Sequence, residues 1–211
     1  MGIEIPQNKF LILDGAMGTV LQQRGLSPQG RPELLNLTEP ELLDSVYKEY
    51  IAAGSQVIYA NTFGANGLKL AKTGHSVEEV VGAAIAVAKK AAAGTGTLVA
   101  LDVGPLGELL EPMGTLSFER AYDLFREMAE AGAKAGADLI VVETMTDLYE
   151  AKAALLAAKE AAHLPVFVTM SFDAGGRTFT GCTVASMART LEGLGADAIG
   201  PVSYTHLRAH E

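Results

Sequence analysis

The sequence has no tryptophan and only one cysteine, Cys182, among its 211 residues. A single cysteine cannot form an internal disulfide, which excludes a disulfide-stapled fold and favours a reducing, cytoplasmic location. No apolar run approaches the roughly 20 residues of a membrane-spanning helix. Residues 1–9 lack the cationic segment and apolar stretch of a secretory signal. We therefore expect no membrane association.

Basic residues are also scarce, with 16 Lys and Arg against 25 Asp and Glu and a net charge of −9. This balance argues against non-specific binding to nucleic acid or to an anionic membrane surface. Hydrophobic residues make up 49% of the chain, which is enough for a large core. The length fits one large domain, although an α/β barrel typically needs about 250 residues.

Short apolar runs alternate with longer segments of helical pattern. Most of the runs are continuously apolar, as in parallel strands that are covered on both faces. This alternation predicts an α/β fold with a parallel sheet, either doubly wound or closed into a barrel. The six predicted strands cover residues 10–13, 56–60, 97–101, 139–142, 166–170 and 196–199.

Helix boundaries are marked by capping residues and glycines. Three short acceptors with Glu three residues later predict capping boxes: Thr38 with Glu41, Ser76 with Glu79, and Asp147 with Glu150. Three glycines before strands predict helix ends in the left-handed conformation: Gly54, Gly136 and Gly195.

Polar residues follow five successive strands. In a barrel all of these strand ends meet at one mouth, whereas in an open sheet only those at the switch point converge. The pattern therefore favours a barrel. The strand-end residues are Asp14, then Asn61 with Thr62, then Asp102, then Glu143 with Thr144, and finally Ser171 with Asp173.

Glu143 is the most informative of these side chains. It directly follows the apolar run 139–142, where a buried carboxylate is costly unless a cation or donors pair with it. For Asp14 a turn, and for Asn61 a helix cap, explains the residue as well as a role in a binding site does. The glycine-rich run 14–19 lacks the Gly-Lys-Ser/Thr of a phosphate loop, but backbone N–H groups at Gly18 and Thr19 are suited to a carboxylate.

Candidate metal ligands are few. Cys182 follows the fifth predicted strand and is interpreted as a bystander, because a lone cysteine is more often a bystander than a nucleophile. His206 and His210 have the i, i+4 spacing of two metal ligands on one helix face. However, residues 203–211 resemble a translated sequencing adapter, so this spacing is interpreted as accidental.

Four segments resemble the homocysteine S-methyltransferase family, in particular the homocysteine-binding domain of cobalamin-dependent methionine synthase. They are residues 11–19, 61–66, 143–147 and 173–178, within a resemblance that covers about residues 8–200. The resemblance implies a (β/α)8 TIM barrel that holds homocysteine at its mouth. It further implies that Asp14 and Glu143 accept hydrogen bonds from the substrate ammonium, that Asn61 and Thr62 line the pocket, and that Gly18 and Thr19 donate to the substrate carboxylate.

The resemblance also implies a zinc-dependent methyl transfer to the thiol of homocysteine, giving methionine. The family binds zinc through three cysteines, the first at the end of the sixth strand, but this chain reads Pro201-Val202-Ser203 after Gly200. We therefore expect residues 1–200 to be a barrel truncated to about six βα units, and 201–211 to be a non-native tail. Zinc ligands are expected beyond Gly200, so that no residue of this chain is assigned as catalytic or metal-ligating. Cobalamin and methyltetrahydrofolate are expected to bind other modules of the full-length protein, and the fragment itself is expected to be unstable or inactive.

Three alternatives remain open. The methyl donor could be betaine or S-methylmethionine, or the domain could be fused to a methylenetetrahydrofolate reductase. The domain could instead be a non-catalytic module that binds a thiol amino acid through Asp14 and Glu143. An unrelated barrel enzyme using strand-end carboxylates as acids and bases is the third.

Overall fold

The computed structural model describes residues 10–27 and 30–202, which form an α/β fold around a parallel sheet. The five strands are β1 (Val57–Tyr59), β2 (Leu98–Val103), β3 (Leu139–Met145), β4 (Val166–Ser171) and β5 (Ala198–Val202). The helices are α1 (Met17–Gln23), α2 (Leu35–Thr38), α3 (Pro40–Ala52), α4 (Gly67–Leu70), α5 (Val77–Ala92), α6 (Phe118–Ala135), α7 (Leu148–Ala162) and α8 (Val184–Gly193), with a 3-10 turn at Pro32–Leu34.

The strand order in the sheet is the order in the chain, β1-β2-β3-β4-β5, and every neighbouring pair is parallel. A doubly wound sheet reverses its strand order at a switch point. This sheet has no reversal among its described strands, and a helix precedes each return to the sheet. The fold is therefore built as successive βα units of a barrel, as the polar strand ends predicted.

The structure corrects the prediction of a first strand at residues 10–13. This strand is reduced to one parallel bridge between Leu13 and Val57. The Tyr59 N–H of β1 donates to the side chain of Asp14 (2.9 Å), and the Ile12 N–H donates to the side chain of Gln56 (2.9 Å). Because side chains take these hydrogen bonds, the backbone ladder does not extend along the edge.

The sheet is apolar on both faces, which explains why its strands read as continuous apolar runs. The larger core cluster packs the helices against one face, with Leu101, Ile140 and Val168 fully buried. The smaller cluster lies on the opposite face and contains Val57, Ala100, Leu139, Val141 and Phe167.

Helix starts agree with the sequence patterns in part. The Ser76 hydroxyl accepts from Glu79 N–H (3.1 Å), which confirms that cap. Asp147 accepts from Tyr149 N–H (3.1 Å), but Glu150 points to another segment. The predicted Thr38 cap is wrong, because Thr38 ends α2 and α3 begins at Pro40, whose missing N–H needs no cap.

The three predicted glycine ends are confirmed by positive φ angles of 105°, 92° and 85° at Gly54, Gly136 and Gly195. Strand β5 continues through Pro201 and Val202. His206 and His210, with the rest of the tail from residue 203 and the N-terminal segment 1–9, lie outside the described residues. Within residues 10–27 and 30–202, no helix has the length and apolar composition needed to cross a bilayer.

Candidate functional site

A cavity of about 540 Å³ opens at the C-terminal ends of β1, β2, β3 and β5. This is the edge of a parallel α/β sheet at which active sites are built. Its wall includes the glycine-rich turn before α1 and the segment that follows β1. The charged and polar residues in the wall are Asp14, Thr19, Glu33, Tyr59, Asn61, Asp102, Glu143 and Thr144.

Asp14 is held by the edge of the sheet. Its backbone N–H donates to Val57 O (3.0 Å) and its Oδ2 accepts from Tyr59 N–H (2.9 Å). Its Oδ1 is buried and has no hydrogen-bond partner among the described residues. Burial, with a smaller contribution from the charge of Glu143, raises the pKa of Asp14 to about 7.

Glu143 lies in β3 at an irregularity of the strand. The pairing of β3 with β4 shifts register between Val142 and Met145, and Thr144 has a left-handed φ of 57°. The Thr144 N–H donates to the Thr169 hydroxyl (3.1 Å), which supports this conformation. The bulge places Glu143 in the cavity wall, where burial raises the pKa of its carboxyl.

Asn61 and Thr62 have different positions. Asn61 lines the cavity, while its Nδ2 donates to Pro32 O (2.6 Å). Thr62 is fully buried behind the wall. Its hydroxyl donates to Asp102 O (2.7 Å) and accepts from Asp102 N–H (3.0 Å), so it holds a neighbouring strand end.

Gly18 and Thr19 form the first turn of α1 and line the cavity. The residue before the helix, Ala16, provides no side-chain cap. The first N–H groups of a helix lack intrahelical partners. These backbone donors are therefore available to an acceptor in the cavity.

Sequence reasoning did not assign Asp102 to the site, although it noted the residue as a strand end. Asp102 is only 7% exposed and lines the cavity. Burial raises its pKa well above the usual value, and the charges of Glu143, Asp14 and Glu33 add to this. The signal that could have found it is the one that found Glu143, a carboxylate at the end of an apolar strand.

Metal ligands are not assembled here. Within the described part of the chain, no group of three His, Cys, Asp or Glu side chains is arranged to hold a metal ion. The Cys182 thiol donates to Thr183 O (3.3 Å), and partial burial raises its pKa. The residues present therefore do not fit the three-cysteine zinc site that the family resemblance implies.

The arrangement is suited to binding a small cationic group. Four carboxyls line one cavity, those of Asp14, Glu33, Asp102 and Glu143. Two of them, Asp14 and Asp102, carry a buried oxygen without a hydrogen-bond partner in the described residues, and the charges of the other three raise the pKa of Asp102. A ligand ammonium would satisfy these acceptors and reduce the repulsion. The backbone donors of α1 offer a complementary place for an anionic group of the same ligand.

Known proteins are similar to this chain in sequence and in fold. The model of the homocysteine S-methyltransferase family matches residues 11–201. The methionine synthases of Mycobacterium tuberculosis and Mycobacterium leprae are each 30% identical to this chain over 218 aligned residues. These alignments cover 94% of this chain but only 18% of either relative.

Solved structures agree with the sequence match. The homocysteine methyltransferase MmuM from Escherichia coli, in its metallated form, superposes with a TM-score of 0.81 at 25% identity. The match covers 92% of this chain and 75% of MmuM. The oxidized form of the same protein gives a TM-score of 0.81 at 26% identity. The chain belongs to the homocysteine S-methyltransferase family.

Proposed function

We propose that this chain is the homocysteine-binding part of a methionine synthase, and that its cavity anchors the amino-acid end of homocysteine. The observation that carries this proposal is the pair Asp14 and Glu143 in one cavity wall, with Asp14 Oδ1 buried and unpaired among the described residues. A buried acceptor of this kind costs free energy until a donor reaches it. The substrate ammonium is such a donor.

The remaining contacts follow from the same orientation. Asp14 and Glu143 accept hydrogen bonds from the ammonium, and Asn61 contributes to the wall beside them. Gly18 and Thr19 donate backbone N–H groups to the substrate carboxylate. Thr62 acts from behind the wall by holding the backbone of Asp102. The side chain of the bound amino acid is then left to extend toward the methyl donor.

We propose that activation of the thiol depends on zinc held outside the described residues. A zinc ion would lower the pKa of the homocysteine thiol and so present a thiolate for methyl transfer. The residues described here do not provide its ligands, so we assign no catalytic step to them. The chain covers 18% of the methionine synthases it matches, and we propose that cobalamin and methyltetrahydrofolate bind other modules of the whole protein.

Calorimetric titration of the 211-residue chain with L-homocysteine tests the anchor. We expect Glu143→Gln to weaken binding by about tenfold to a hundredfold, because it removes a charge-assisted hydrogen bond to the ammonium. Glu119→Gln is the control, since Glu119 is exposed in the first turn of α6. Equal affinity of the wild type and Glu143→Gln would contradict the proposal, as would absence of binding by the folded wild type.

A further inference from the structure

We propose that Asp102 is a third carboxylate ligand of the substrate ammonium, acting beside Asp14 and Glu143 and positioned by Thr62. The inference rests on the proposed function of the cavity and adds a residue that selects for an unsubstituted primary amine. Its starting point is the burial and the missing hydrogen-bond partner of one oxygen atom, Asp102 Oδ1.

Asp102 is the second-last residue of β2 and is one of the residues that line the cavity. The residue is 93% buried, and Oδ1 has no hydrogen-bond partner in the described part of the chain. No Lys, Arg or His among those residues forms an ion pair with it. A buried carboxylate oxygen is normally paired, so the fold alone does not account for this one.

The backbone of Asp102 is fixed by one buried hydroxyl. Thr62 is fully buried, and its Oγ1 donates to Asp102 O (2.7 Å) while accepting from Asp102 N–H (3.0 Å). Two hydrogen bonds to one residue hold the strand end in place. The carboxyl of Asp102 is therefore carried by a rigid backbone, which favours selective binding because little order must be gained when the ligand binds.

The three carboxyls supply enough acceptors for every donor on a primary ammonium. Such a group carries three N–H donors. Asp14 uses Oδ2 on Tyr59 N–H and keeps Oδ1 free, Asp102 keeps Oδ1 free, and Glu143 supplies the third acceptor. An amine that carries an acyl group or additional methyl groups has fewer N–H donors and leaves at least one of these oxygens unpaired.

The charges around Asp102 favour the same ligand. Burial is the largest cause of the raised pKa of Asp102, and the charges of Glu143, Asp14 and Glu33 raise it further. Tyr47 and Tyr59 are neutral titratable groups nearby. These carboxyls repel one another when they ionise in a site of low dielectric constant. A cation bound among them relieves that repulsion, so binding is coupled to loss of protons from the site.

The test compares two ligands on two proteins by calorimetry. L-Homocysteine carries the ammonium, and 2-hydroxy-4-mercaptobutanoate replaces it with a neutral hydroxyl. We expect Asp102→Asn to weaken homocysteine binding by about tenfold to a hundredfold, and to leave the weak binding of the hydroxy analogue within about twofold. Asp44→Asn is the matched control, because Asp44 is also buried with an unpaired Oδ1 but lies on α3 away from the cavity.

Thr62 variants provide the second measurement. We expect Thr62→Val to lower homocysteine affinity with little further loss in the double variant with Asp102→Asn, whereas Thr62→Ser retains affinity. Unchanged homocysteine affinity in Asp102→Asn, or equal losses for both ligands, would overturn the assignment of Asp102 while leaving the anchor intact. A folded wild type that binds no homocysteine would instead remove the proposed function, and the role of Asp102 with it.

Discussion

One buried carboxyl, that of Glu150, binds the loop after β2 and makes the stability of the fold depend on pH. Glu150 in α7 is 3% exposed, and its Oε1 accepts from Leu106 N–H (2.7 Å) in the loop after β2. Lys69 Nζ donates to Pro105 O (2.8 Å) in the same loop. Burial raises the pKa of Glu150 to about 7, and although the hydrogen bond from Leu106 lowers it, the bond does not outweigh the burial.

This pKa predicts a loss of stability as the pH rises. The folded protein keeps the Glu150 proton to about pH 7, whereas an unfolded chain releases it near 4.5. The stability contribution is therefore complete below the unfolded pKa and is lost through the folded pKa. The displacement from 4.5 to about 7 corresponds to about 3 kcal/mol at most.

We expect Glu150→Gln to flatten the pH dependence of unfolding between about pH 5 and about pH 8, because a neutral amide still accepts from Leu106 N–H. Urea unfolding followed by circular dichroism at a series of pH values measures this. Asp14 and Asp102 contribute in the same direction, so the comparison is the difference in slope between variant and wild type. Glu119→Gln, at an exposed site, should leave the slope unchanged; a Glu150→Gln slope equal to the wild type contradicts the assignment.

Helix ends show what glycine contributes at the scale of an element. Gly136 ends α6 with φ 92° and ψ 29°, a left-handed conformation that a residue with a Cβ adopts at a cost. Gly82 lies inside α5 without a left-handed φ. A methyl group added at either position has no heavy atom within 4 Å, so the two sites differ in backbone conformation and not in space.

We expect Gly136→Ala to destabilise the protein by about 1–2 kcal/mol through left-handed strain. Gly82→Ala should instead stabilise it by up to about 1 kcal/mol, because alanine loses less conformational freedom in a helix. Chemical denaturation of both variants under one condition measures the two changes. Changes of the same sign would show that space or packing, and not the φ angle, determines the effect of alanine on stability at these two positions.

The sequence predicted the elements whose causes are local. Apolar runs located β1 to β5, and the spacing of Ser76 from Glu79 located the start of α5. The edge segment 10–13 was overpredicted because two side chains interrupt its backbone ladder with β1. Asp14 follows the edge segment and Gln56 precedes β1, and each accepts a hydrogen bond from a backbone N–H of the other side. The apolar pattern of one segment cannot reveal hydrogen bonds to side chains that lie far away in the sequence.

The same distinction applies to the site. Glu143 was found because a carboxylate after a buried strand needs a partner, and the structure places it in the cavity wall. Glu150 was interpreted as part of a capping box, but a contact with Leu106, 44 residues away, takes its carboxylate. Thr62 was expected on the wall and lies behind it, because its hydroxyl binds the backbone of Asp102, 40 residues away. Both outcomes depend on which strand ends become neighbours.

The two outer edges of the sheet differ in how readily another strand could pair with them. On one side, the segment before Asp14 leaves Phe10 93% and Ile12 54% exposed. On the other side, β5 pairs only with β4 among the described strands. Pro201 in β5 has no N–H to donate, which weakens that edge as a template for pairing. The edge beside β1 is therefore the more favourable of the two for association with another strand.

We expect this chain to self-associate reversibly through the β1 edge, because exposed apolar residues lie along the outer segment of the sheet. Ile12→Lys places a charge on that edge and should reduce the weight-average mass measured by sedimentation velocity. Met113→Lys is the matched control, since Met113 is 62% exposed but lies in the loop between β2 and α6. An equal reduction in both variants would point to general charge repulsion, and a wild type that stays monomeric over the measurable concentration range would exclude the edge as an association surface. A reduction confined to Ile12→Lys would identify the strand edge, and not the exposed apolar surface as a whole, as the part of the molecule that another strand must cover.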